Sequence, residues 1–237
     1  MARPGRSRGL LDRPRAGDVI ADLVPPGHPR SARTDGLRGL TEVASLREGD
    51  TLFVSGAAGA VGGLVGQFAR LLGAARVVGS AGTDEKAQLV EDLLGFDACF
   101  NYRSGPVRDL LAGVAPEGLD VYFDNVGGEH LAAAIEAMRL NGRIAMCGII
   151  ADYDTDPQQR ALQADLFQVI GRRVTIRGFI STDHASLRPE FLATVTRWLD
   201  EGRLHYRETV TEGLEKTPEA FIEMLRGGNI GKAVVQV

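Results

Sequence analysis

The chain has 237 residues, 44% of them hydrophobic, 24% charged and 6% aromatic, and a formal net charge of −4. This composition suits a globular protein with a sizeable core and excludes wholesale disorder. The acidic balance argues against a nucleic-acid binder, which needs a basic face, and the arginine-rich residues 1–40 show neither aromatic interleaving nor periodicity. Cys99 and Cys147 are the only cysteines, and His28, His130, His184 and His205 are scattered, so neither a disulfide framework nor a zinc site is expected. Asp12, Asp18 and Asp22 interrupt every apolar run near the N-terminus, which points away from secretion and towards the cytoplasm. Residues 51–69 carry GxxxG spacings, but their glycines, Ser55 and Gln67 leave them short of a membrane span, and none is expected.

In chain order, Pro4, Pro14, Pro25, Pro26 and Pro29 break the opening segment, so residues 1–39 read as irregular. From residue 50 the pattern alternates. Short apolar runs predict buried strands at Thr51–Ser55, Arg76–Gly79, Ala98–Asn101, Asp120–Asp124, Arg143–Cys147 and Val174–Gly178. Helical spacing predicts helices at Ala60–Leu72, Asp84–Leu94, Pro106–Ala112, Glu129–Met138 and Pro157–Ile170, with Gly73 and Gly95 as stops. Six strands separated by helices predict an α/β fold, a doubly wound parallel six-stranded Rossmann sheet over residues 40–205. A further helix, Pro189–Glu201, ends at Gly202. Strand Tyr206–Thr211, helix Thr217–Arg226 and strand Lys232–Val237 then form a strand–helix–strand unit over 206–237, read as a separate lobe.

The chemistry sits at Gly56-Ala57-Ala58-Gly59-Ala60-Val61-Gly62, directly after a strand and opening a helix. Read from Ala57, Gly59 and Gly62 occupy the second and third glycine positions of a dinucleotide fingerprint. Gly59 lets the backbone approach a pyrophosphate, Gly62 lets the helix pack on the strand, and the helix N-terminus offers unpaired N–H groups through Ala60, Val61 and Gly62. An NAD site would place an acid at the end of the second strand. This chain reads Gly79-Ser80-Ala81-Gly82-Thr83, with no acid before Asp84 and with Lys86 following, which favours NADP(H).

Five segments together carry a family resemblance: Phe53-Val54-Ser55 with the glycine turn; Gly95-Phe96-Asp97-Ala98 with Asn101-Tyr102; Tyr122-Phe123-Asp124-Asn125-Val126-Gly127-Gly128; Gly142-Arg143-Ile144-Ala145-Met146-Cys147-Gly148; and Asn229-Ile230-Gly231-Lys232. From about Leu40 onward the chain resembles the zinc-independent medium-chain dehydrogenase/reductases, in the leukotriene B4 12-hydroxydehydrogenase, prostaglandin reductase and curcumin reductase branch. The resemblance implies NADPH-dependent reduction of the C=C bond of α,β-unsaturated aldehydes and ketones, so a small-molecule enal or enone is the expected partner. It implies Lys86 at the 2′-phosphate, Tyr102 at the adenosine, and Asn125, Cys147 and Gly148 along the inner half of the cofactor. Phe179 and Ile180 would meet the nicotinamide, Asn229 would reach the cofactor from the tail, and Tyr153 would stand near the nicotinamide ribose and substrate carbonyl as the catalytic candidate.

Family members begin with a barrel-like catalytic domain that residues 1–40 do not match, and the tail from Tyr206 normally completes that domain. Cofactor binding with weak or absent enone reduction is therefore expected. So is self-association, as a homodimer, through Val210, Phe221, Ile222, Leu225, Val234 and Val235. A non-catalytic NADPH-binding module and a zinc-free quinone reductase remain the alternative readings.

Overall fold

The computed structural model describes residues 36–153, 156, 164–180 and 188–237. Its main body alternates strands β1 (Thr51–Val54), β2 (Arg76–Ala81), β3 (Ala98–Asn101), β4 (Leu119–Asp124), β5 (Met138–Met146) and β6 (Thr175–Gly178) with helices. The helices are α1 (Gly62–Leu71), α2 (Asp84–Leu94), α3 (Val107–Val114), α4 (Gly128–Ala137), α5 (Leu166–Arg172) and α6 (Arg188–Asp200). The strands form one six-stranded sheet in the order β3-β2-β1-β4-β5-β6, and every pairing is parallel. The α/β doubly wound sheet read from the alternation is therefore the fold.

Successive strand residues face opposite layers, and both layers are buried. Leu52, Val54, Val77, Val121 and Phe123 pack with Val65 and Phe68 of α1, Val90 and Leu94 of α2, and Phe191, Val195 and Trp198 of α6. Phe53, Val78, Tyr122 and Ile144 face the other way, onto Leu111 of α3 and Leu131, Ala134 and Ile135 of α4. Phe53 stacks on Tyr122 at 4.9 Å between ring centroids. Such two-sided burial explains why the central strands β1, β2 and β4 read as largely apolar runs, while the edge strand β6 is exposed along its length. Gly95 closes α2 in the left-handed conformation (φ 70°), with its N–H donating to Val90 O.

Several boundaries move. Helix α1 begins at Gly62 rather than Ala60, because residues 56–61 are spent in the turn. Strand β5 is longer than its apolar run: Met138 leaves the helix early and pairs with Leu119. Residues 1–35 and 157–163 lie outside the described residues, so the reading of 1–35 as irregular and the first part of the Pro157–Ile170 helix have no counterpart here. Residues 36–38, read as irregular, are helical and run into a π-helical turn, Gly39–Val43. Packing overrides the weak local pattern at this point. Leu40 is fully buried, and a Cβ on Gly39 would overlap the rings of Phe123 and Phe179.

The C-terminal unit consists of β7 (Glu208–Glu212), α7 (Thr217–Leu225) and β8 (Lys232–Gln236), and β7 and β8 pair in parallel in their own two-stranded sheet. No residue between Tyr206 and Val237 is fully buried. Polar ties hold the unit to the main body. Gln67 on α1 donates to His205 O and accepts from His205 N–H, at 2.8 and 2.7 Å, and Gly231 N–H donates to Ala58 O at 2.8 Å.

Candidate functional site

The strand order reverses between β1 and β4, which opens a crevice at their carboxyl ends where open α/β sheets receive ligands. The turn after β1 forms one wall. Ala57 is buried, and its N–H donates to Ser80 O at 2.8 Å, which ties the turn to β2. A Cβ on Gly62 would overlap Gly56 O and lie 3.0 Å from Ala57 Cα, so only glycine lets α1 start this close to the turn. A Cβ on Gly59 would meet only Gly56 O, at 3.2 Å, and otherwise open space. Val61 holds the N-cap position without a side-chain cap, and the N–H groups of Val61 and Gly62 have no backbone acceptor among the described residues. An open glycine face below uncapped amides, at the positive end of a ten-residue helix, fits the pyrophosphate of a dinucleotide.

The opposite wall rests on a buried polar cluster. Asp124 Oδ1 accepts from Tyr122 OH at 2.7 Å, Gly127 N–H at 2.8 Å, Val126 N–H at 2.9 Å and Ser55 Oγ at 3.3 Å. Ser55 Oγ in turn accepts from Asn125 N–H at 2.9 Å and lies 3.0 Å from the Tyr122 hydroxyl oxygen. Asn125 Nδ2 donates to Ser55 O at 2.8 Å. The Cys147 and Gly148 amides donate to Asp124 O at 2.8 and 3.0 Å, so β1, β4 and β5 meet at one carboxylate residue. Burial raises the Asp124 pKa against the pull of its hydrogen bonds, and Oδ2 has no partner among the described residues. Burial, and then the Asp124 charge, push the Tyr122 hydroxyl well above its usual range. Asn125 belongs to this cluster, while Ser55, Tyr122 and Asp124 were not singled out from the sequence. A Tyr-x-Asp pair at one strand end opposite a serine at its neighbour was the available signal.

At the ends of β2 and β3, Thr83 Oγ1 caps α2 by accepting from Lys86 N–H at 3.3 Å, which fixes where Lys86 leaves the helix. The Lys86 ammonium donates to Asn229 O at 2.7 Å and to Gly227 O. Burial lowers its pKa, and the Arg103 charge lowers it further. Tyr102 lies over Gly82, its hydroxyl 3.3 Å from where a Cβ would stand, and its ring meets His130 edge-on at 5.2 Å. Burial depresses the His130 pKa to about 4, so the imidazole beneath Tyr102 is neutral near pH 7.

The structure therefore brings Ala57, Gly59, Ala60, Val61, Gly62, Asn125, Cys147 and Gly148 to one crevice, with Lys86, Tyr102 and Asn229 at its outer end. Asn229 Nδ2 donates to Gly231 O at 2.7 Å. Phe179 lies differently: it is buried, with its ring edge-on against Phe123 at 6.0 Å, while Ile180 is exposed. Tyr153 follows the 3-10 turn Ile150–Asp152 and is 59% exposed. Among the described residues no three His, Cys, Asp or Glu side chains are grouped to hold a metal ion, and no helix is long and apolar enough to cross a membrane.

A six-stranded sheet in this order, with a glycine turn at its reversal point, defines a nucleotide-binding α/β domain of the Rossmann type. The zinc-binding dehydrogenase family model matches residues 60–200, and the chain belongs to that family, among the medium-chain dehydrogenase/reductases. It is 44% identical over 202 residues to the NADP(+)-dependent 2-alkenal reductase of Nicotiana tabacum, covering 84% of this chain and 57% of the relative. It is 42% identical over 201 residues to prostaglandin reductase 1 of Rattus norvegicus, covering 84% and 60%. Among solved structures, CurA of Vibrio vulnificus in complex with NADPH aligns with a TM-score of 0.80 and 40% identity, over 86% of this chain and 61% of that one. The chain thus spans about 60% of the length of the relatives it matches.

The raised Asp124 pKa has a testable sign. The folded state holds the carboxyl proton more tightly than the unfolded state, so this group's contribution to stability is greatest at low pH and falls as pH rises towards the folded pKa. The stability of the wild type relative to Asp124→Asn, from urea unfolding at a series of pH values, is expected to decline over that window and level off above it. A difference that grows with pH would contradict the assignment.

Proposed function

We propose that this chain is the cofactor-binding part of an NADPH-dependent reductase acting on the C=C bond of α,β-unsaturated aldehydes and ketones. The observation that carries the reading is the pairing of an open glycine turn with Lys86, at a β2 end that bears no acidic residue before Asp84. Relatives named alkenal, pulegone and prostaglandin reductase support the substrate class. The division into residues 1–39, a cofactor domain over 40–205 and a C-terminal segment over 206–237 is proposed with it, the separate β7–β8 sheet supporting the last boundary.

When bound, NADPH supplies the hydride for the β-carbon of the substrate. The chain's own residues bind and orient. The Val61 and Gly62 amides face the pyrophosphate across Gly59, Lys86 meets the 2′-phosphate, and Tyr102 packs at the adenosine. Asn125, with the Cys147 and Gly148 backbone held by Asp124 O, lines the inner half, where Ile180 and the Phe179 backbone meet the nicotinamide. Asn229 closes the site from the tail. Tyr153 donates a hydrogen bond to the substrate carbonyl as negative charge develops on its oxygen. Zinc takes no part in this chemistry; the scattered cysteines and histidines support that. A reducing, cytoplasmic setting is proposed with it, supported by a sequence whose two cysteines, Cys99 and Cys147, each lie inside an apolar run.

Lys86→Glu removes a cation and adds a repelling charge at the 2′-phosphate. On the scale of charged hydrogen bonds, about 1.5–3 kcal/mol, NADPH binding by calorimetry should weaken at least about tenfold while NADH binding stays nearly unchanged. Equal losses for both cofactors would show that Lys86 does not read the phosphate.

A homodimer through the C-terminal unit is proposed as well, because Phe221 and Ile222 on α7 are 56% and 49% exposed. Light scattering on the purified chain should give twice the monomer mass, and Phe221→Ser with Ile222→Ser should halve it. A dimer that survives both substitutions would place the contact elsewhere.

A further inference from the structure

The outer end of the crevice holds a second cation besides Lys86. Arg103 follows Tyr102 directly after β3, is exposed, and places its guanidinium carbon 5.6 Å from the centre of the Tyr102 ring. Its Nη2 donates to Arg226 O at 3.4 Å. One short loop, residues 226–229, therefore supplies backbone carbonyls to both cations: Arg226 O to Arg103, and Gly227 O and Asn229 O to Lys86. The loop is itself anchored on the glycine turn through Gly231 N–H to Ala58 O and the Gly59–Gly231 bridge.

Two features make this corner more than a solvated surface. First, the two positive groups stand close enough for the Arg103 charge to act on Lys86, yet neither makes an ion pair with a carboxylate among the described residues. Asp84, on the first turn of α2, accepts instead from Asn101 Nδ2 at 3.0 Å. Second, the carbonyls orient the cations without saturating them. An ammonium has three donors and two are used; a guanidinium has five and one is used. The remaining donors, beside a ring that flanks the guanidinium, match a compact dianion on an aromatic nucleoside, since guanidinium donors suit phosphate oxygens and stack on aromatic faces.

We propose that Arg103 is a second specificity-determining residue of the 2′-phosphate subsite, presented beside Lys86 by the loop 226–229. The inference rests on the reading that Lys86 faces the 2′-phosphate. It adds that the C-terminal loop is part of the cofactor-selecting machinery, so selection between NADPH and NADH depends on α7 and β8 being docked on the glycine turn.

The test uses the adenosine end alone, with no turnover. Adenosine 2′,5′-bisphosphate and 5′-AMP are titrated calorimetrically into the full chain, the wild type being expected to prefer the bisphosphate. Arg103→Gln should weaken the bisphosphate about tenfold and leave 5′-AMP unchanged, while Arg103→Lys should recover most of the loss. Wild-type affinity of Arg103→Gln for both probes would overturn the role of Arg103 and leave the Lys86 reading standing. Equal losses for both probes would reduce Arg103 to a support for the Tyr102 ring and overturn the inference. A wild type that binds the two probes equally would overturn the underlying NADP(H) reading, and the role of Arg103 with it.

Discussion

The approach of helix α1 to the turn before it is the constraint on which the site depends. A single Cβ at position 62 would overlap Gly56 O, so the helix starts where it does only because residue 62 has no side chain. The same economy recurs along the helix: a Cβ on Gly66 would overlap the Phe96 ring, and one on Gly63 would stand 3.0 Å from Leu94. Lying this close, α1 points its first amides across the end of β1 and into the crevice, and its dipole acts on whatever occupies that crevice. A bulkier helix face would move those amides away from the strand ends and leave the turn without its function.

The other half of the crevice is held by hydrogen bonds instead of close packing. Four donors converge on Asp124 Oδ1 in a fully buried environment, and its backbone oxygen takes two more from Cys147 and Gly148. A buried carboxyl is costly unless it is satisfied, and here the cost is offset by a cluster that fixes three strand ends relative to one another. Asn125 sits where it does because Ser55 holds both its amide and its side chain. The crevice is thus preformed from both sides, one rigid by packing and one by polar bonding, which suits a site that must orient a long cofactor before any chemistry begins.

Much of this was legible in the sequence, for identifiable reasons. The central strands β1, β2 and β4 are buried on both faces, so they appear as largely apolar runs, and the glycine turn lies in the strand–turn–helix context that gives the motif meaning. Other features depend on contacts distant in sequence and leave no local trace. Residues 36–38 look irregular until Gly39 is seen beneath Phe123 and Phe179. The Ser55–Tyr122–Asp124 cluster joins residues about seventy positions apart. The family resemblance puts Phe179 at the nicotinamide, yet its ring packs inward against Phe123. Lys86 was legible as a cation near the second strand's end, but the C-terminal carbonyls that orient it, 141 and 143 residues away, were not.

The central claim is that the turn at Gly59 receives the cofactor's pyrophosphate, and Gly59→Val tests it most directly. A Cβ there meets only Gly56 O, at 3.2 Å, and otherwise open space, so the fold should persist, with an unfolding midpoint close to that of the wild type. Calorimetric titration should show NADPH bound by the wild type and no detectable heat from the variant. Undiminished NADPH binding by a folded Gly59→Val chain would contradict the claim and place the pyrophosphate somewhere other than the glycine turn.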